Sequence, residues 1–285
     1  MSAAALAEGR STRHGGVLEG LVNGSAVVAW CFSEPTPHGH RVEGLTLDIR
    51  PDGDEIVVHG LKQPVEAAGH ADHLLVTGRT GSACTQVLVP AATPGVSLVP
   101  MQSVDLTRRF WSVRFDRVRL PLAAVVGEVG GGDMQAALQR RQALVLLAAE
   151  SVGAMQRSFD MTVEWAFDRY SFGRPLASYQ ELKHRFADMK MWLEASHAVA
   201  DAAAAAVDVD APNASQLALA AAAYVGKYGS ELVQDCVQIH GGIGVTYEHD
   251  LHLYLRRVTL NRTMFGTPGL HLRQIADLLI QEGGN

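Results

Sequence analysis

Asp168-Arg169-Tyr170-Ser171-Phe172-Gly173-Arg174-Pro175-Leu176-Ala177-Ser178-Tyr179-Gln180 is the stretch on which the reading of this chain turns. Gly173 and Pro175 interrupt what is otherwise a long helical pattern. Upstream, residues 134–168 hold one glycine, Gly153, no proline, and apolar residues at helical spacing. Asp133 is placed to cap a helix beginning at Met134. Downstream, a second long helix is expected over 179–207 and a third over 214–239, ended by Gly241-Gly242. A shorter helix follows from about Asp250, and Pro268 marks the entry to a last one over 269–281. Long helices joined by short loops pack as a bundle, here of four or five helices.

Working outward to the N-terminus, the chain changes character near residue 128. Short apolar runs at 27–32, 44–49, 55–59, 73–78, 85–89, 96–100 and 111–118 alternate with turn signals. Pro51-Asp52-Gly53 reads as a hairpin turn, because proline fixes φ, aspartate bonds its own backbone and glycine accepts positive φ. The expected fold class is α+β: a small antiparallel β-barrel or sandwich over 1–127, with a short N-terminal extension, then a C-terminal four- to five-helix bundle over 128–285. A glycine-rich hinge at 127–132 joins them.

Composition narrows the function classes. The 285 residues are 47% apolar and 19% charged, with a net charge of -6, a globular profile without the cationic excess of a nucleic-acid binder. No apolar run is long enough for a membrane span, and the first residues lack the apolar core of a signal peptide. A cytoplasmic protein with no nucleic-acid partner is expected. Cys31, Cys84 and Cys236 form no C-x-x-C pair and read as buried thiols. Glu248-His249-Asp250 does not converge on one ion, so no metal is expected. Trp111, Phe115 and Trp165 read as core residues, and Arg256-Arg257 as surface charges.

Two segments carry a family signature. One is the 168–180 stretch continued by His184-Arg185-Phe186-Ala187-Asp188-Met189. The other is Gln238-Ile239-His240-Gly241-Gly242-Ile243-Gly244-Val245-Thr246, continued through Arg257. Together they resemble the acyl-CoA dehydrogenase family, with its R-x-x-F-G-[RK]-P helix pair and its Q-x-H-G-G-x-G turn. The resemblance runs from about residue 26 to the C-terminus and implies FAD as cofactor. In that family the flavin ring is held by one protomer's β-domain. The diphosphate and adenine end is held by another protomer's helices. Arg169, Phe172, Gln238, Gly241 and Gly242 match the second half, and the resemblance extends to Thr267 and Ser33 as further cofactor contacts. The chemistry agrees with this. Arg169 offers a forked guanidinium suited to phosphate. Gly241 and Gly242 admit close backbone approach, with amides able to face an anion.

The other half departs from the family pattern. Where the family has T-E-P-x-x-G-S-D, this chain has Ser33-Glu34-Pro35-Thr36-Pro37-His38-Gly39-His40, which places Gly39 at the second serine. Where it has G-x-K-x-W-I-[TS]-N, this chain has Gly60-Leu61-Lys62-Gln63-Pro64-Val65-Glu66-Ala67, without the flavin-stacking aromatic. The catalytic carboxylate is missing from both usual places, which Phe265 and Ala143 occupy; Glu150 or Glu66 could serve as a displaced base. The family's N-terminal helical domain has no counterpart, which implies a short subunit or a start lying upstream. The expected function is α,β-dehydrogenation of an acyl-CoA, with a steroid side chain or ring fragment as substrate class. This chain lends half of a shared FAD site to a catalytic acyl-CoA dehydrogenase subunit, and electrons pass to an electron-transferring flavoprotein. The alternatives are a self-sufficient dehydrogenase and a structural paralogue that binds no flavin.

Overall fold

A computed structural model describes residues 1–8 and 12–283. They form two compact units, one of residues 1–103 and 107–140, the other of residues 104–106 and 141–285.

The first unit opens with two short helices, α1 (Ser2–Glu8) and α2 (Gly15–Asn23), where the sequence suggested only an extension. Gly24 ends α2 at a φ of 78°, a left-handed position glycine takes without penalty. Eight strands follow: β1 (Val28–Cys31), β2 (Asp48–Asp52), β3 (Glu55–Glu66), β4 (His73–Thr80), β5 (Ala83–Pro90), β6 (Val96–Met101), β7 (Phe110–Pro121) and β8 (Val125–Val126). They make one sheet ordered β6-β7-β3-β2-β4-β5-β8, with β1 also on β4. The sheet is mostly antiparallel, as expected, and mixed in detail: β4 takes β1 and β2 as parallel neighbours, and the other pairs are antiparallel. The first hairpin turns at Gly53-Asp54, since Pro51 and Asp52 still pair with Ile56 and Glu55.

Alternation along the strands fills two cores. Leu74, Val76, Val87 and Val89 face the main one with Ile49, Ile56 and Phe115. Leu75 and Leu88 point the other way, onto Ala5 and Leu6 of α1, with Leu18 and Leu21 of α2 packed alongside. The N-terminal helices therefore exist to cover the second face of β4 and β5.

In the second unit, α3 (Asp133–Asp168) runs 36 residues from an origin in the first unit. Asp133 begins this helix rather than preceding it. Its carboxylate accepts the Cys84 N–H at 2.9 Å, fixing the helix start to β5. A small hairpin, β9 (Tyr170–Ser171) and β10 (Arg174–Pro175), separates α3 from α4 (Gln180–Asp208). Then come α5 (Ala214–His240), α6 (Leu251–Asn261) and α7 (Pro268–Gly283). α5 packs on α4, α6 and α7, and buries Ala218, Ala221, Val225, Leu232, Val233 and Cys236. Small residues on α4 and α5 let the two backbones approach. Larger ones such as Met155, Met189 and Leu193 fill the remainder, each contributing about 1.5–3 kcal/mol by burial. All three cysteines are free and buried, and desolvation pushes each thiol up to about 12.

Candidate functional site

Arg169 is the first residue beyond α3. Its N–H still donates to the Trp165 carbonyl at 2.8 Å, and its own carbonyl accepts the Leu176 N–H at 2.9 Å. This fixes the backbone while the side chain remains exposed. The guanidinium lies 5.9 Å from the Trp165 ring centroid, a cation–π contact. Trp165 in turn stacks on His240, centroids 5.2 Å apart and planes 15° from parallel, and His240 meets the His249 ring at 4.8 Å. The 168–180 stretch and the 238–246 turn, remote in sequence, are thereby joined through two aromatic rings.

His240 is buried, and desolvation, with His249 adding to it, holds its imidazole below the ordinary histidine range. The ring is neutral near pH 7, so Nδ1 carries the proton that it donates to the Cys236 carbonyl at 2.8 Å. Nε2 is left as an acceptor, and neither it nor Trp165 Nε1 has a hydrogen-bond partner among the described residues.

Phe172 caps the β9–β10 hairpin with φ at 49°, followed by Gly173 at 79°. It is 98% exposed. A fully solvated aromatic in the left-handed region is costly on two counts, which marks it as a contact surface rather than a packing residue. Arg174 over the Tyr179 ring at 3.8 Å, and the Tyr179 hydroxyl donating to the Ser171 carbonyl at 2.7 Å, brace the hairpin from behind.

Gly241 closes α5 at φ 67°, and its N–H donates to the Gln238 and Val237 carbonyls. That amide is therefore spent on the helix end, which corrects the expectation that it is free to face an anion. The glycines serve by leaving space: a Cβ at Gly241 or Gly242 would meet nothing within 4 Å. Gly244 is different, since a Cβ there would lie 2.9 Å from the Val237 carbonyl oxygen. Gly244→Ala is expected to lower stability by about 1–3 kcal/mol, because that oxygen belongs to the helix backbone and cannot yield. Gly242→Ala should cost no more than a few tenths of a kcal/mol, the usual range for surface substitutions. Chemical denaturation of both variants separates them, and equal losses would contradict the assignment.

Gln238 is exposed on the last turn of α5. Thr267 is exposed immediately before α7, its carbonyl accepting the His271 N–H at 3.0 Å. Phe265, which the resemblance aligns with the catalytic carboxylate, is half-buried with φ at 57°. Glu150 has both oxygens engaged, one by Arg257 and the other by Asn261 at 2.9 Å. Arg257 also holds Asp105, which is 2% exposed, so it is an ion-pair centre rather than the surface charge the sequence suggested. The carboxylates raise its pKa against the opposing effect of burial. Ser33 and Glu66 belong to the first unit; Ser33 accepts the Gln63 N–H through its carbonyl at 2.8 Å, and Glu66 lies 3.4 Å from Arg108.

The sequence reading missed one buried device. Lys62 and Glu34, from the two motif segments of the first unit, form an ion pair at 2.7 Å with side chains 0% and 1% exposed. Lys62 also donates to the Phe32 carbonyl, and Glu34 accepts from the Thr46 N–H and hydroxyl and the Leu47 N–H. Burial alone would raise Glu34, but the Lys62 charge and these hydrogen bonds hold it below the usual carboxylate range. The signal was two opposite charges in otherwise apolar strand motifs.

The residues of the second unit fit the diphosphate end of a dinucleotide. They offer an exposed, braced cation, an unobstructed double glycine, an exposed aromatic, and two buried polar atoms without hydrogen-bond partners among the described residues. Residues 134–280 match the family model described as acyl-CoA dehydrogenase, C-terminal domain. Acyl-CoA dehydrogenase IpdE2 of Mycolicibacterium smegmatis is 37% identical over 177 residues, covering 62% of this chain and 51% of that protein. Acyl-CoA dehydrogenase FadE34 of Mycobacterium tuberculosis is 37% identical over 195 residues, covering 67% and 26% respectively. The chain thus spans about half, or less, of the length of these relatives. Among solved structures, butyryl-CoA dehydrogenase from Megasphaera elsdenii superposes with a TM-score of 0.85 at 24% identity, covering 92% of this chain and 70% of that one. Glutaryl-CoA dehydrogenase from Mycobacterium smegmatis, in complex with FADH2, gives 0.87 at 21%, covering 98% and 72%. These two likenesses establish the fold.

Proposed function

The chain belongs to the acyl-CoA dehydrogenase family through its C-terminal domain, and from that premise we propose that it is a subunit contributing the diphosphate and adenine half of a shared FAD site to a catalytic partner. The observation that carries the reading is the asymmetry of its equipment. Arg169 stands exposed and braced on the Trp165–His240 stack, whose far ring adjoins the open Gly241-Gly242 corner. The position of the base is filled by Phe265, which cannot accept a proton.

FAD, when bound, supplies the hydride acceptor for α,β-dehydrogenation of an acyl-CoA thioester. This chain's part is binding and orientation. Arg169 neutralises phosphate oxygens through its forked donors. Gly241 and Gly242 let the ligand reach the backbone, Phe172 offers a flat apolar face, and Gln238 and Thr267 offer neutral donors. In the first unit, Ser33 retains a hydroxyl at the family's threonine position. The partner, a second acyl-CoA dehydrogenase subunit, brings the base and the aromatic that packs on the flavin. The substrate is a steroid-derived acyl-CoA, and the electrons leave to an electron-transferring flavoprotein. Glu150 is a poor base because Arg257 and Asn261 already hold both of its oxygens.

Purification of the chain alone tests the reading. We expect well under stoichiometric flavin and no acyl-CoA oxidation, with both restored on co-expression with a dehydrogenase subunit that carries the base. A yellow, active lone chain would overturn it, and a complex that is active but insensitive to Arg169 substitution would favour a scaffold role.

A further inference from the structure

The seam between α4 and α5, within the second unit, carries charges that the flavin reading does not use. Glu181, Arg185, Asp188 and Trp192 recur along α4 at intervals of four, three and four residues. Tyr224, Tyr228, Glu231, Asp235 and Gln238 alternate in the same way along α5. Such spacing puts each set on one helix face, as in the seam of a helical bundle. The two faces meet: the Arg185 guanidinium holds the Asp235 carboxylate, and the Trp192 ring lies 5.5 Å from that of Tyr228. A cleft of about 300 Å³ opens there, lined by Arg185, Asp188, Trp192, Glu231, Gln234 and Asp235.

The charges of the cleft do not balance. Three carboxylates line it with one guanidinium, and that guanidinium is already engaged by Asp235. Lys190, close to Asp188 in sequence, pairs with Glu194 at 2.6 Å, and Lys227 lies over the Tyr228 ring at 4.7 Å. Asp188 and Glu231 are left without a counter-charge in the cleft. Trp192 packs on the core with part of its surface and turns the rest to the cleft. Two carboxylates beside an indole suit a guanidinium, which pairs with acids through its fork and stacks on aromatic rings. A second copy of this chain docked cleft to cleft would set the same acids against each other, and facing like charges oppose association. Glu231 also lies two helical turns before Gln238 on the same face of α5. A chain that covers the flavin end at Gln238 is therefore placed to cover the cleft.

We propose that the α4–α5 seam docks an unlike subunit, and that the cleft receives an arginine side chain from it. Asp188 and Glu231 accept the guanidinium, and Trp192 stacks on it. The acids thereby select a basic partner over a second copy of this chain. The proposal rests on the partner subunit of the shared-site reading, not on the cofactor that the two chains share.

Sedimentation of the full chain co-expressed with a dehydrogenase subunit that carries the base tests it, with flavin counted in parallel. The wild type should form a heteromer that loosens as salt is raised. Asp188→Lys combined with Glu231→Lys should weaken association at least tenfold, with the melting temperature of the isolated chain unchanged. Should that variant melt early, Asp188→Asn with Glu231→Gln takes its place, with a smaller loss of association expected. Asp201→Lys, at an exposed acid of α4 outside the cleft, should leave association unchanged. A heteromer indifferent to both double variants overturns the proposal and leaves the flavin reading standing. A heteromer that responds as expected but holds no flavin does the reverse. A wild-type chain that associates only with itself, or not at all, overturns the proposal.

Discussion

Replacing Arg169 by Gln should strip flavin from a co-purified complex, weakening retention about 10- to 100-fold. A hydrogen bond to a charged partner contributes about 1.5–3 kcal/mol, and each 1.4 kcal/mol is a factor of ten. Loss of the guanidinium removes both the forked donors and the positive charge. The fold should be indifferent, because the side chain is exposed and its anchoring contact is one cation–π pair with Trp165. The check is the flavin-to-protein absorbance ratio of variant and wild type after identical gel filtration, with matched melting temperatures. Arg169→Lys should recover only part of the loss, since a point charge cannot reproduce a fork. Unchanged flavin content in both variants would remove Arg169 from the cofactor.

Glu34→Gln should be the most destabilising single change in the first unit, by about 3–5 kcal/mol, because it leaves Lys62 buried without a counter-charge. In a unit of this size that amounts to roughly 10–15 °C in melting temperature. The pH dependence has a definite sign. Glu34 is held below the usual carboxylate range, so its contribution is complete above the unfolded pKa and disappears as pH falls through the lower folded value. The gap between wild type and variant should therefore narrow in acid. It should also narrow in alkali: burial depresses Lys62 despite Glu34, and without Glu34 the amine sheds its proton in the folded state at still lower pH. Thermal melts across pH check both limbs. Converting the pair to Glu34→Leu with Lys62→Met should recover part of the loss, as replacing both charges removes the unpaired one.

The same pair explains a limit on what could be read from the sequence. Residues 44–49 carry a strand-like apolar pattern, yet β2 starts only at Asp48. The N–H groups of Thr46 and Leu47 go to the Glu34 carboxylate instead of a ladder. A side chain twelve or more residues away thus decided where a strand begins, which no local window could reveal. The helices of the second unit were legible because period and punctuation agree: Pro268 opens α7, and Gly241 closes α5. The helices α1 and α2 were not: alanine favours helix, but helices of 7 and 9 residues are too short to hold in isolation, and α2 opens on Gly15-Gly16. They are held by packing on Leu75, Leu88 and Val126 and by tethers such as the Ser2 hydroxyl donating to the Val28 carbonyl.

For the candidate site, the motifs located Arg169 and the double glycine but not what supports them. Trp165 read as core and His240 as part of a turn, yet their stack joins the two segments. Arg257 read as a surface charge because its partners, Asp105 and Glu150, lie more than a hundred residues away.

If one dinucleotide is held by two unlike chains, a complex of the two carries half as many flavins as chains. Flavin released by denaturation from a co-expressed, gel-filtered complex, counted against each subunit by amino-acid analysis, tests it most directly. About one FAD for each pair of unlike chains is the predicted result, and one FAD on every chain, this one included, would contradict it.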